Sequence, residues 1–257
     1  MHLVDLPRDI RPYEPHQLVP GMVNGGIQMF DGDGLEVGGQ LLTTMYLTFQ
    51  GDDLYSTIAL TSDDEGHTWR YLSTIAGPEA VPGAPEGPCE PGMVQLATGE
   101  LMCVLRVGSG STWNLFRSYS RDEGRTWSPV DRLPAFSVEP SLRRLHNGTL
   151  ALTTGRAGIY LWLSTDPRGT AWQPIDLVAH HNTWAPSSRY TIVPEQSGDR
   201  ALRHAHDQTT AYTELVEVAP NRLLMVYDRT PFGWNPVPHD SDERSRVFAL
   251  PMHIERI

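Results

Sequence analysis

Ser120-Arg121-Asp122-Glu123-Gly124-Arg125-Thr126-Trp127 carries the spacing Ser-x-Asp-x-Gly-x-Thr-Trp, and the same spacing occurs at Ser62, Asp64, Gly66, Thr68 and Trp69. A third copy, with one residue inserted, runs through Ser164, Asp166, Gly169, Thr170 and Trp172. Recurrence in a shared context says that the chain is built from similar units. The motif has a structural logic. Its Asp can accept bonds from backbone N–H groups of a tight turn, its Gly can take a positive φ, and its hydroxyls can tie the arms of the turn together. The Trp is an apolar anchor for packing that turn on a neighbour. By this logic the carboxylates fix turns and are neither catalytic nor metal-binding.

Working outward, each motif sits between short strands. The first unit reads as strands at 26–30, 40–49, 55–61 and 69–75, after a Pro-rich irregular lead-in over 1–23. A Pro- and Gly-rich connector, 76–88, leads to a second unit with strands at 90–97, 100–107, 114–120 and 127–133. The third comprises 139–145, 149–154, 158–164 and 172–177, with Asn147-Gly148 as its hairpin signal. Residues 178–211 read as a long loop with one strand at 189–193, and long loops on rigid scaffolds carry function. The last unit has strands at 212–218, 222–227 and 247–252.

Composition agrees with an all-β chain. The 257 residues include 23 Gly and 21 Pro, 39% are hydrophobic, and no long amphipathic helical run is present. One domain over 1–257 is expected. With 31 acidic against 20 basic residues and a formal charge of −11, the chain does not offer the basic face that a nucleic acid rewards. Cys89 and Cys103 imply no disulfide framework, because a hairpin turning at Thr98-Gly99 sets residue 103 opposite residue 94. No signal-peptide pattern and no membrane-length apolar run occur, so the expectation is a soluble, cytoplasmic protein with no membrane partner.

The openings of the repeated units carry the chemistry. Cys89-Glu90-Pro91 matches Val138-Glu139-Pro140, and both match Ala211-Tyr212-Thr213, which makes Glu90, Glu139 and Tyr212 equivalent positions. The second strand of each of these hairpins ends in Arg: Arg106, Arg156 and Arg229. If the first strands line a common axis, acidic, phenolic and guanidinium groups point at one mouth, the pattern of an anion-recognition or glycosidase site. The plainer alternative is a cross-strand Glu–Arg ion pair copied by duplication, although Tyr212 breaks that pattern.

The Ser-x-Asp-x-Gly-x-Thr-Trp motif resembles the Asp-box of the sialidase superfamily, from about Asn24 onward. Four units suffice for a small closed ring, whereas the resemblance implies an Asp-box β-propeller of six blades, four of them recognisable here and the first two then missing. It implies a glycoside hydrolase acting on an acidic sugar or terminal glycan residue, with carbohydrate as its partner and no cofactor. By the same resemblance Tyr212 is the nucleophile, Glu90 assists it, and Arg106 is similar to one of the arginines that grip the sugar carboxylate. Tyrosine is an accepted variant of the two-carboxylate scheme, since a phenol approaches an anomeric carbon beside a carboxylate with less repulsion than an Asp. The family's Arg-Ile-Pro signature is absent, and its acid/base aspartate has no matched position, Asp52 or Asp53 being the nearest candidates.

Glu139, Arg156, Arg229, His204 and His206 complete the expected substrate-binding set, the two histidines as acid/base groups of the long loop. Trp184 and Trp234 are candidate sugar-stacking platforms. Two rivals remain at this level: a non-catalytic propeller that binds glycan or protein, and a polysaccharide lyase in which Tyr212 or a loop histidine takes a proton beside a uronic acid carboxylate.

Overall fold

The computed structural model describes residues 2–11, 29–108, 113–156, 158–192, 212–232 and 238–255. The chain is all-β apart from short helical turns, and it divides into two compact units, 1–108 with 115–133, and 109–114 with 134–257.

The first unit begins with β1 (His2–Val4), β2 (Met29–Val37), β3 (Gln40–Leu47), β4 (Ser56–Ser62) and β5 (Thr68–Ala76), in one sheet of order β1-β5-β4-β3-β2. A meander follows, β6 (Cys89–Gln95), β7 (Leu101–Arg106), β8 (Asn114–Ser120) and β9 (Asp131–Phe136), the ends of β8 and β9 being counted with the second unit. The second unit holds β10 (Val138–Arg144), β11 (Leu150–Gly155), β12 (Ile159–Ser164) and β13 (Gln173–Asp176), then a sheet of β14 (Thr213–Ala219), β15 (Arg222–Arg229) and β16 (Arg246–His253). The four repeated units of the sequence are thus four separate sheets. β2 to β5, β6 to β8, β10 to β13 and β14 to β16 each pair antiparallel with the next strand of their sheet, and β9 lies beside β8.

The repeated motif does the work its chemistry suggests. In the first copy Gly66 N–H donates to Ser62 Oγ at 2.9 Å and Thr68 N–H to Asp64 Oδ1 at 2.8 Å. The second copy repeats both bonds at 2.8 Å, from Gly124 to Ser120 and from Thr126 to Asp122, and adds Thr126 Oγ1 donating to Asp122 Oδ2 at 2.6 Å. In the third, Thr170 donates to Asp166 through both its N–H and its hydroxyl. The glycines take φ of 83°, 86° and 63°, the region closed to most side chains. The tryptophan ring folds back on its own turn, Nε1 donating to Gly124 O at 3.1 Å from Trp127 and to Gly169 O at 2.6 Å from Trp172.

Trp127 also joins two sheets of the first unit. Its Nε1 reaches Ser73 Oγ of β5 at 3.0 Å, and Ser73 Oγ donates to Gly124 O at 2.5 Å. Around this polar link Leu42, Ala59, Ile75, Met93, Leu101, Cys103 and Leu105 form a shared core. A second core covers the other face of β3 and β4, where Leu3, Leu6 and Ile10 of the opening segment pack on Met45, Leu47, Phe49, Ile58 and Leu60.

That segment corrects the expectation of an irregular lead-in, because β1 pairs parallel with β5 and Arg11 N–H donates to Thr48 O at 2.9 Å. A second correction concerns 178–211, read as a loop with a strand at 189–193. Val178–Trp184 is a helix, α1, and Ser188–Tyr190 a 3₁₀ turn. Turn length accounts for a third: Leu96 N–H bonds to Glu100 O, so the loop has a third residue and Cys103 faces Met93, not residue 94. Both cysteines are free and buried. Strand β9 starts at Asp131, four residues later than expected, because Ser128 satisfies Tyr119 through its N–H and its hydroxyl and holds the chain there. Among the described residues no helix is long and apolar enough to cross a membrane.

The carboxylates of the first two Asp-boxes titrate low. Asp122 is lowered to about 2, chiefly by the Thr126 hydroxyl, and Asp64 to about 2, chiefly by the Thr68 N–H. A carboxylate whose folded value lies below its unfolded value of about 3.9 stabilises the fold fully above that value and stops doing so as pH falls through the folded one. Asp122→Ala is therefore expected to lower the thermal unfolding midpoint at pH 7, and scans at descending pH should show the gap from the parent protein closing between about 4 and about 2.

Candidate functional site

The equivalence of Glu90 and Glu139 has a backbone cause. Along β6 the pairing shifts between Cys89↔Arg106 and Gly92↔Val104, and along β10 between Val138↔Gly155 and Ser141↔Thr153. Each strand therefore carries one extra residue in a β-bulge, a device that turns a side chain out of the alternating pattern. Glu90 lies in the bulge with φ 42° and Glu139 with φ 48°. A side chain held in the left-handed region costs about 1–2 kcal/mol, and such strain concentrates where function fixes a side chain. Arg156 has φ 41°. It falls one residue past the end of β11, whereas Arg106 and Arg229 are the last residues of β7 and β15.

In the first unit Arg106 is buried and bound on three sides. Its Nη1 pairs with Glu90 Oε1, its Nη2 with Glu86 Oε2 at 2.7 Å, and its Nε donates to Gly108 O at 3.3 Å. Glu90 is as buried as Arg106, while the Glu86 side chain keeps 23% of its exposure. Glu86 belongs to the connector, which is pressed onto Tyr55: Tyr55 N–H donates to Glu86 O at 2.9 Å, and a Cβ on Gly87 would stand 2.6 Å from Tyr55 O. Beneath lie Tyr46 and Tyr55, ring edge to ring face at 5.1 Å, with Cys89. Burial, ahead of the nearby negative groups, pushes the Tyr55 phenol well above its ordinary value. Asp52 is ion-paired with Arg8 at 2.5 Å, and Asp53 is almost fully exposed, 3.7 Å from Arg11.

In the second unit the Arg156 guanidinium stands 5.5 Å from the centre of the Tyr212 ring. Tyr212 N–H donates to Asp228 Oδ1 at 3.2 Å, and burial raises the Asp228 carboxyl above its ordinary value against the pull of Arg156 and Arg229. Glu139 O accepts from Thr213 Oγ1 at 3.2 Å, and that hydroxyl is 2.9 Å from Thr153 Oγ1, so the openings of β10 and β14 are tied together.

Arg229 faces away from Asp228, on the alternate face of β15. It is buried and donates from Nε to Tyr190 O at 3.0 Å and from Nη2 to Thr191 O at 2.5 Å. The same Tyr190 carbonyl lies 2.7 Å from His181 Nε2 of α1. A carbonyl only accepts, so Nε2 carries the proton and Nδ1 accepts from the Tyr227 hydroxyl at 3.0 Å. His181 is buried and neutral, its pKa lowered first by desolvation, while burial pushes Tyr227 up to about 12.

The structure thus brings Arg106 together with Glu90, and Arg156 with Tyr212. Glu86 and Asp228 escaped the sequence reading. Glu86 sits in a connector without strand pattern, and Asp228 looks like one alternation of a strand. His204, His206 and Trp234 lie outside the described residues. Trp184 is 70% exposed on α1. Among the described residues no group of three or more His, Cys, Asp or Glu side chains is placed to hold a metal ion.

A family model described as a BNR repeat-like domain matches residues 14–222. No curated protein matches the chain. Among solved structures, a protein of unknown function from Dyadobacter fermentans superposes with TM-score 0.61 at 19% identity over 87% of this chain and 53% of its own. The Penicillium chrysogenum α-L-arabinanase complexed with arabinobiose gives 0.56 at 14% over 96% and 70%. The K499G mutant of NanB sialidase from Streptococcus pneumoniae gives 0.51 at 19% over 78% and 27%. The chain therefore spans about half of the Dyadobacter protein and about a quarter of the sialidase. These likenesses establish the fold, an all-β architecture of propeller type.

Two outcomes test the packing of these clusters. Gly87→Ala combines a left-handed backbone, φ 78°, with a backbone clash, and chemical denaturation should show a loss of at least about 1–2 kcal/mol. For His181 the folded pKa lies below the unfolded value, so its contribution is full above about 6.5 and falls as pH drops below it. Unfolding midpoints measured from pH 7.5 to 5 should decline in the parent protein, and this decline should be shallower in His181→Asn.

Proposed function

We propose, from the premise that this chain belongs to the BNR repeat-like family, that it cleaves the glycosidic bond of a terminal glycan residue with Tyr212 as nucleophile. The observation that carries this reading is the Arg156 guanidinium 5.5 Å from the Tyr212 ring. A phenolate forming on that ring is stabilised by the neighbouring positive charge, by about a few kcal/mol at an effective dielectric of about 20. Proteins of the same fold include an arabinanase and a sialidase, which agrees with a sugar-processing chain.

In this reading the Tyr212 hydroxyl gives up its proton to a general base and its oxygen attacks the anomeric carbon as the bond to the leaving oxygen breaks, that oxygen taking a proton from a general acid. Water then hydrolyses the glycosyl-tyrosine, with net retention at the anomeric carbon. Asp228 is the carboxyl beside Tyr212 within the second unit, and burial raises its pKa above the ordinary carboxylate value, the direction that suits a general acid. The left-handed backbone at Glu139 and Arg156, which open and close one hairpin, supports a role for that hairpin in gripping the sugar.

A second reading, a non-catalytic glycan-binding propeller, is favoured by one specific observation. Of the arginines expected to clamp the sugar, Arg106 is held by carboxylates and Arg229 by backbone carbonyls. The readings part on turnover. With aryl glycosides of neutral and acidic sugars, the hydrolase reading expects release of the aryl group, and kcat/KM reduced about a thousandfold or more in Tyr212→Phe with the unfolding midpoint unchanged. Equal turnover by Tyr212→Phe contradicts the role of Tyr212, and sugar binding without turnover of any glycoside favours the second reading.

A further inference from the structure

A lone buried arginine is an anion clamp, and Arg106 is not in that state. Glu90 and Glu86 take its two terminal nitrogens, and Gly108 O takes Nε. One guanidinium and two carboxylates leave the cluster with a single net negative charge. Glu86 is the member that solvent reaches most, its side chain retaining 23% of its exposure against 7% for Arg106 and 5% for Glu90.

Carboxylates braced by an arginine are acceptors with fixed direction. They suit hydroxyl donors, such as the vicinal hydroxyls of a sugar, and they repel another carboxylate. The bracing is rigid: the connector holding Glu86 is bonded to Tyr55 through the Glu86 carbonyl, a second bond joins Thr57 Oγ1 to Pro88 O at 3.0 Å, and Glu90 is fixed in its bulge. The buried Tyr55 phenol beside the cluster senses the negative Glu86 and Glu90 against the one positive Arg106.

We propose that the Glu86–Arg106–Glu90 cluster is a subsite for the hydroxyls of a neutral sugar, and that Glu86 is the specificity-determining residue that excludes acidic sugars. This rests on the reading of the chain as glycan-processing, and it replaces the carboxylate-gripping role that the resemblance implies for Arg106.

The test is direct binding to the whole chain by calorimetry or ligand-observed NMR, with arabinobiose as the neutral probe and N-acetylneuraminic acid as the acidic one, alongside the aryl glycoside assay. Glu86→Gln keeps a carbonyl oxygen for Arg106 Nη2 and removes one negative charge. The expected result is that the parent protein binds the neutral probe and excludes the acidic one. Glu86→Gln should then raise the affinity for the acidic probe about tenfold or more, the scale of a unit charge a few ångströms from an anion. A merely structural role for Glu86 would weaken both probes or neither. Preference of the parent protein for the acidic probe, no binding of either, or no gain in Glu86→Gln overturns the inference. Binding of the expected pattern without turnover leaves the subsite standing and removes the hydrolase reading.

Discussion

A carboxylate that accepts the N–H groups of its own turn is the constraint on which the repeated architecture rests. Each Asp-box fixes where one strand leaves the hairpin and where its tryptophan lies. In the second copy this fastens the turn to the neighbouring sheet through Ser73, so that a polar link and the apolar core around Leu42, Ile75 and Leu105 reinforce each other. A large side chain such as Leu or Ile contributes about 1.5–3 kcal/mol when buried, so the core supplies the greater part of the stability. The box supplies register, which the non-directional hydrophobic effect cannot.

Left-handed residues other than glycine occur in the Asp-box turns, at Glu65 and Glu123, and in the hairpin at Asn221. Glu90, Glu139 and Arg156 are also left-handed, and they stand at the openings and closings of duplicated hairpins. Duplication produced similar frames, and the arginines have diverged within them. Arg106 is neutralised by two glutamates, Arg229 is turned inward to hold the segment after α1 and shares the Tyr190 carbonyl with His181, and Arg156 stands beside an aromatic ring. A repeated residue type is therefore a poor guide to a repeated role.

Much of this was legible in the sequence because it depends on local rules. The Asp-box turns, the four sheets and the equivalence of Glu90 with Glu139 follow from spacing, alternation and hairpin chemistry. What escaped depends on contacts distant in sequence. Helix α1 has only seven residues and no strong period, and its buried histidine is held by Tyr227 and Tyr190. Glu86 gained its role because the connector folds over Tyr55, and Leu3, Leu6 and Ile10 because a sheet face lay ready to receive them. The one-residue error at Cys103 came from a loop with a third member, which a Thr-Gly pair alone does not announce.

The central claim is that Tyr212, beside the Arg156 cation, forms the bond to sugar carbon. Trapping tests it most directly: incubate the protein with a fluorinated glycosyl fluoride of a sugar it turns over, digest it, and locate the added mass by tandem mass spectrometry. The account predicts a stoichiometric glycosyl adduct on the peptide that contains Tyr212, placed on its phenolic oxygen. An adduct on a glutamate or aspartate carboxylate would contradict it.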